Sequence, residues 1–306
     1  MIRYFILFGF SFMFFMLHYT GEIRKYINMK YAYLSISAVV ILGLLCIFEF
    51  IRASRRQIAE EKRQAEAGEG ESGQCEHHAH GSDGNLHHHS DHHDHGHSHG
   101  HESRLKRFIG YFILAVPIAT GLFLPAHALD SSFVKAKGFS FPGFDAAAAD
   151  NPGAHQFLKP DSSVFYKPDD YEAVRDKELA EFVNRPAVLL TDRDYLAGME
   201  AIYNSPEAFM GKEIGFNGFV YKGQQVDDTH YFVFRFGFIH CVADSGVFGM
   251  LVEFPKNTQL SDDEWVRVKG KLTWELYQPF KQTIPVLRAS EWERLDEPED
   301  PYVYRS

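Results

Sequence analysis

Three long apolar runs decide what kind of protein this sequence can form. They are Tyr4 to Leu17, Ala32 to Ile51, whose single charge is Glu49, and Phe108 to Leu129, which contains no acidic residue, lysine or arginine. A helix needs about 20 apolar residues to cross the hydrocarbon core of a bilayer. The second and third runs reach this length, and the first reaches it with its flanking residues. We therefore predict three transmembrane helices in the lipid bilayer, not the buried core helices of a soluble protein.

Basic residues near the ends of these runs predict the orientation of the chain. The segment between the second and third runs contains most of them: Arg52, Arg55, Arg56, Lys62, Arg63, Arg104, Lys106 and Arg107. The first loop contains Arg24, Lys25 and Lys30, and the region after the third run contains Lys135 and Lys137. Cytoplasmic loops carry an excess of lysine and arginine. We predict a multi-pass protein of the cell (inner or plasma) membrane, with a cytoplasmic amino terminus and an extracytoplasmic carboxyl-terminal domain.

Two processing alternatives bear on this topology. The first run is followed by "LHYTGEIR", which has no small-x-small cleavage site, so we interpret it as a retained helix and not as a signal peptide. After the third run, Ala126-His127-Ala128 resembles a signal-peptidase site. Cleavage after Ala128 therefore stays an open alternative.

Composition divides the chain into five segments. We predict a transmembrane hairpin over 1–54, a disordered His-rich loop over 55–103, a third transmembrane helix over 104–129, a tether over 130–168 and a folded domain over 169–306. The loop has too few apolar residues to order itself, and the tether is rich in Gly, Pro, Ala and Ser.

The folded domain is predicted to contain one or two helices followed by strands. "YEAVRDKELAEFV" and "DRDYLAGMEAIYNSPEAFMGK" favour helices, and "PAVLL" a short buried strand. From Lys212 the apolar pattern has a period of two, and five strand candidates follow: "KEIGFNGFVYK", "HYFVFRFGFIHCVA", "GVFGMLVEF", "WVRVKGKLTWEL" and "IPVLRASEWERL". We predict a membrane-anchored α + β protein whose outer domain is a small OB-like β-barrel. The alternative is a half-open meander packed on the preceding helix.

A dense tract of histidines is the clearest candidate for ligand binding. Twelve of the seventeen histidines lie in it: His77, His78, His80, His87, His88, His89, His92, His93, His95, His97, His99 and His101. Neutral imidazole is the commonest side-chain metal ligand, and Cys75, Asp91 and Asp94 offer further donors. We predict binding of zinc or another transition metal ion, used for capture or sensing. The alternative is a solvated insertion without a required role.

A second cluster lies in the outer domain, where His240, Cys241 and Asp244 fall within five positions. As metal ligands they would supply three donors, which is part of a site. The alternative is that Cys241 is a small core residue and Asp244 a turn former that binds its own backbone. His230 lies about ten residues away and would contribute only if another loop folded back.

Several functions are disfavoured. The sequence has no Gly-rich phosphate loop, nucleophile elbow or HExxH motif, so we predict that the protein is not an enzyme. A formal charge of −10 argues against a nucleic-acid partner. The three cysteines lie in separate regions and imply no disulfide framework.

The amino-terminal hydrophobic hairpin and three stretches of the outer domain resemble a known family. "MGKEIGFNGFVYK", the "HCVAD" turn and "IPVLRASEWERLDEPEDPYVY" are similar to the YcgQ-like family of bacterial permease subunits, an uncharacterised family. In that family two adjacent cysteines precede x-Ala-Asp, and here His240 stands where the first would be, so a vicinal thiol pair is lost. The resemblance implies a separate multi-helix permease as partner, encoded nearby, and it implies no substrate.

These observations predict a membrane-anchored accessory subunit of a permease, with the His-rich loop handling zinc. A structural or protein-binding envelope protein with an incidental histidine tract is the alternative.

Overall fold

The computed structural model describes residues 2–69, 104–124, 126–139, 162–163, 167–223 and 227–305. The chain divides into two compact units. The first comprises residues 1–19 and 34–125, and the second comprises residues 20–33 and 126–306. The loop between the first two apolar runs therefore belongs to the same unit as the outer domain, which the predicted boundary at residue 54 did not anticipate.

The described part of the first unit consists mainly of helices. They are α1 (Ile2–Thr20), α2 (Ala32–Glu69) and α3 (Arg104–Phe123). Within the described residues, α1 and the stretch Met29–Arg63 are long and apolar enough to cross a membrane, whereas the apolar part of α3, Phe108–Phe123, is shorter. The structure thus gives two candidate spans near the amino terminus. The third helix was expected to continue to 129, but it ends at Phe123, two residues before Pro125. A proline disfavours the helical conformation of the residue that precedes it.

Among its described residues, the second unit contains three α-helices and a sheet. The helices are α4 (Ser131–Lys137), α5 (Pro168–Val183) and α6 (Tyr195–Asn204). The strands are β1 (Ala187–Leu189), β2 (Glu213–Tyr221), β3 (His230–Phe238), β4 (Gly246–Glu253), β5 (Trp265–Tyr277), β6 (Gln282–Leu295) and β7 (Tyr302–Tyr304). Strands β2 to β6 lie at the five predicted positions, except that β3 ends at Phe238, five residues before the end of its candidate. The short helix α4 lies inside the segment predicted as a tether, where Asp130 caps it by accepting the backbone N–H groups of Ser132 and Phe133.

The seven strands form one mixed sheet in the order β1-β2-β5-β6-β4-β3-β7, and β2 also pairs with β3. The pairs β1–β2, β4–β6 and β3–β7 are parallel, and the others are antiparallel. This arrangement confirms an α + β domain. Strand β7 was missed because three residues are too few to display a period of two.

Aromatic side chains fill the core of this unit. Phe219 stacks on Phe236 with ring centroids 5.5 Å apart, and Phe139 lies edge-on to Phe232 at 4.8 Å. Helix α6 packs against the sheet with eight of its ten residues buried. Aromatic residues carry large apolar area, so their burial supplies much of the free energy of folding.

Candidate functional site

The histidine tract lies outside the described residues. This holds for all twelve members from His77 to His101 and for Cys75. The metal site predicted there stays a prediction.

The carboxylate of Asp244 organises the turn after β3. Its Oδ1 accepts the backbone N–H groups of Ile239 at 3.2 Å and Cys241 at 3.0 Å, and its Oδ2 accepts that of His240 at 2.9 Å. The Nδ1 atom of His240 lies 2.9 Å from the same Oδ2. A short 3₁₀ helix, Val242–Asp244, follows, and Cys241 caps it. These contacts are those of the turn former that the sequence analysis left open for Asp244.

The geometry of the turn differs from a continued strand. Strand β3 ends at Phe238, so His240 and Cys241 lie beyond it and do not alternate across the sheet. Cys241 instead forms an isolated antiparallel bridge with Ile27. Across the part of the chain that the structure describes, the donor atoms of His240, Cys241 and Asp244 do not form a convergent group of metal ligands. The metal site predicted at His240, Cys241 and Asp244 therefore stays a prediction.

The loop of residues 20–33 packs directly on this turn. Asn28 is buried, its backbone N–H donates to the carbonyl of His240 at 2.9 Å, and its Nδ2 donates to the carbonyl of Ile239 at 3.1 Å. The N–H of Val242 donates to the carbonyl of Tyr26 at 2.8 Å. The "HCVAD" turn is thus a docking point between two distant parts of one chain.

The same loop also contacts both ends of the outer domain. Lys25 donates to the carbonyl of Ala126 at 2.7 Å, and the hydroxyl of Tyr304 donates to the carbonyl of Arg24 at 3.2 Å. Next to Ala128, the N–H of Leu129 donates to the Tyr302 hydroxyl at 2.9 Å. The first residue of the motif that resembles a cleavage site, Ala126, and the residue that follows the motif, Leu129, are therefore hydrogen-bonded within the second unit.

His230 is the candidate that the sequence analysis set aside. It begins β3, and its neighbours are Glu253 on β4 and Glu275 on β5. These acidic residues are 23 and 45 positions away along the chain, since 253 − 230 = 23 and 275 − 230 = 45. No local sequence signal connects them, because strand pairing alone brings them together.

The helices and the mixed sheet define the class of protein: apolar, membrane-type helices precede an α + β domain that also incorporates the first interhelical loop. Models of two family domains match the chain, the DUF1980 N-terminal domain over residues 2–140 and the DUF1980 C-terminal domain over residues 165–305. The chain belongs to this DUF1980 family, and the resemblance to YcgQ-like proteins is confirmed.

Two relatives are similar along their whole length. The "UPF0703 protein YcgQ" of Bacillus subtilis is 42% identical over 308 residues, which cover 100% of this chain and 99% of that protein. A Streptococcus mutans protein named "Putative two-component membrane permease complex subunit" is 31% identical over 309 residues, again covering 100% of this chain and 99% of the relative.

Proposed function

We propose that this chain is an accessory subunit of a membrane permease that handles transition-metal ions. The observation that carries the subunit role is the full-length similarity to the Streptococcus mutans protein named as a subunit of a permease complex. Three apolar helices are too few to build a transport path alone. The chain therefore works with a separate, multi-helix permease.

Loop packing supports three membrane crossings. Residues 20–33 and 126–306 belong to one compact unit, so they lie on one side of the membrane. An even number of crossings must then separate them, and α2 is one. Helix α3 is the remaining apolar helix of this stretch among the described residues and supplies the second crossing. With α1 the proposal has three spans, and the basic residues near the ends of α2 and α3 favour an outer domain outside the cytoplasm.

Sheet closure supports an OB-like barrel as the outer domain. Strands β2, β5, β6, β4 and β3 follow one another by pairing, and the pairing of β2 with β3 completes the circuit. A closed circuit of five strands is the architecture of the OB fold. We assign docking on the permease to this domain, because loops at the ends of such barrels are common binding surfaces.

Imidazole chemistry supports the choice of a transition metal. The tract from His77 to His101 offers many equivalent ligand sets, each of modest affinity, which suits capture or sensing of zinc on the cytoplasmic side. This part of the proposal is independent of the subunit role.

Affinity purification from native membranes tests both parts. We compare the tagged full-length chain with a matched variant lacking residues 77–101, and we measure copurifying proteins and bound zinc. We expect the same multi-helix permease with both chains, and much less zinc with the variant. Recovery of envelope proteins without a permease would support the structural alternative. Equal zinc content in the two samples would make the tract incidental.

A further inference from the structure

Three potential ligands converge on the sheet, apart from the histidine tract. His230 on β3 lies directly opposite Glu253 on β4 in the antiparallel register, and Glu275 on β5 completes the group. One donor atom from each residue lies within 4.8 Å of the others. Within the described ranges this is the only group of three or more His, Cys, Asp or Glu side chains that converges in this way.

The neighbouring Asp227 determines which ring nitrogen of His230 carries the proton. Oδ1 of Asp227 accepts the backbone N–H groups of Thr229 at 2.8 Å and of His230 at 2.9 Å, and Oδ2 lies 2.7 Å from Nδ1 of His230. Because this carboxylate acts as an acceptor for both backbone groups, Nδ1 of His230 is assigned as the donor to Oδ2. In the neutral imidazole, Nε2 then presents its lone pair.

Nε2 of His230 is shielded from water and close to the carboxylates. The His230 side chain is 12% exposed, its Nε2 is buried, and Nε2 makes no hydrogen bond, although Oε1 of Glu275 lies only 3.0 Å away. A buried ring nitrogen without a hydrogen bond is unfavourable, and a cation held between Nε2 and the carboxylates would satisfy both. A protonated His230 paired with Glu275 is the competing arrangement, and the experiment below distinguishes the two.

Charge balance also favours a cation. Asp227, Glu253 and Glu275 contribute three negative charges to the cluster, and Arg288, whose Nε lies 2.5 Å from Oε2 of Glu253, contributes one positive charge. With a neutral His230 the sum is −3 + 1 = −2 for these side chains. One divalent ion neutralises it. Arg288 also orients Glu253, as outer partners of metal ligands commonly do.

We infer that His230, Glu253 and Glu275 bind a divalent transition-metal ion such as zinc, and that Asp227 is a positioning residue that fixes the ring of His230. Zinc takes histidine nitrogen and carboxylate oxygen at about 2.0–2.2 Å, so two of its ligands lie roughly 3.3 Å apart in a tetrahedral site. The 3.0 Å between Nε2 and Oε1 of Glu275 is close to this value. A hydrogen-bonded carboxylate behind the ligating imidazole is the usual outer arrangement in such sites.

This inference goes beyond the proposed function, because it needs neither the permease nor the histidine tract. Three protein ligands leave one position of a tetrahedral ion open. That position suits exchange of the ion or contact with a ligand from outside the chain, whereas purely structural sites have four protein ligands.

Zinc binding by the full-length chain lacking only residues 77–101 provides the test. The protein is purified in detergent, equilibrated with zinc, dialysed and analysed for metal. We expect about one zinc per chain, and X-ray absorption that shows a single imidazole ligand. Glu275→Gln should lose most of this zinc. The matched control Glu291→Gln should retain it, because Glu291 is an exposed residue of β6 that pairs with Lys269 outside the cluster.

A second variant keeps the inference testable if Glu275→Gln does not fold. Asp227→Asn preserves all three ligands, and we expect zinc affinity to fall about 10- to 100-fold, as for other outer-shell changes. A tract-deleted chain without stoichiometric zinc, or equal zinc in Glu275→Gln and Glu291→Gln, would overturn the site in favour of a His230–Glu275 ion pair. Unchanged affinity in Asp227→Asn would remove its positioning role. None of these results bears on copurification of the permease, so the subunit role is judged separately.

Discussion

Arg235 is a charged residue in the middle of the buried strand β3. Its guanidinium donates to the carbonyls of Asp300 at 3.2 Å, Pro301 at 3.3 Å and Tyr302 at 3.0 Å, and it pairs with Asp192. A buried charge is tolerated only when it is paired and hydrogen-bonded. This side chain therefore fixes the carboxyl-terminal segment and explains how a strand as short as β7 keeps its place on the sheet.

Asp244 has a comparable structural role, and replacing it by alanine should destabilise the outer domain. The change leaves three backbone N–H groups without their acceptor. We expect the free energy of unfolding to fall by about 2–3 kcal/mol. Asp244→Asn keeps one amide oxygen as acceptor and should cost about 1 kcal/mol. Tryptophan fluorescence during denaturant unfolding measures this, since all three tryptophans lie on β5 and β6.

The control for Asp244 is His240→Ala, which removes the contacts of a half-exposed ring, among them those with Asp244 and Tyr31, and leaves the Asp244 carboxylate in place as backbone acceptor. We expect a loss below about 1 kcal/mol. If zinc raised the stability of the wild type, and either variant abolished that effect, the turn would be a metal site after all. Equal stability of Asp244→Ala and the wild type would contradict its role as turn former.

At the scale of elements, the pairing of β3 with β4 depends on Gly249. This residue lies opposite Phe234 with φ at 151°, and a Cβ there would approach the carbonyl oxygen of Val233 to 2.0 Å. Gly249→Ala should therefore lower the free energy of unfolding by about 4 kcal/mol, because backbone strain and the overlap with Val233 add up, or it should prevent folding. Thermal unfolding and the yield of folded protein measure the effect.

Gly211→Ala is the matched control for Gly249→Ala. Gly211 also has a positive φ, 74°, but a Cβ there meets nothing within 4 Å. Only the left-handed backbone is penalised, at about 1 kcal/mol. Similar losses in the two variants would show that backbone conformation, and not close approach of β3 and β4, sets the cost.

The elements differ in how far the sequence predicts them. Alternating apolar residues predicted β2 to β6, because a strand with one buried face shows this pattern within its own residues. Register is not local: the parallel β4–β6 pair joins Leu251 to Val286, and the β3–β4 pair places His230 opposite Glu253. The convergent ligands could therefore not be found by reading neighbouring residues. The "HCVAD" turn was a candidate metal site because it contains His, Cys and Asp. In the structure its Asp244 carboxylate mainly accepts backbone hydrogen bonds.

At the scale of the whole molecule, the first interhelical loop is part of the folded outer domain. Ile23 and Asn28 are buried in it, although no sequence pattern separates residues 20–33 from the hairpin. Such a loop must fold together with a domain that begins about 100 residues later in the chain, since 126 − 28 = 98.

The shared unit makes the proposed topology testable by cysteine labelling. In a chain whose three native cysteines are replaced by serine, we introduce Lys30→Cys in the loop, Lys256→Cys in the sheet domain and Gln57→Cys on α2, all at exposed positions. With three spans, a membrane-impermeant maleimide should label the first two in intact cells, and should label Gln57→Cys only after permeabilisation. Because residues 20–33 and 126–306 form one unit, the introduced cysteines at positions 30 and 256 must show the same accessibility in any correct topology. Labelling of only one of them would contradict the packing, whereas labelling of all three in intact cells would contradict the membrane crossing by α2.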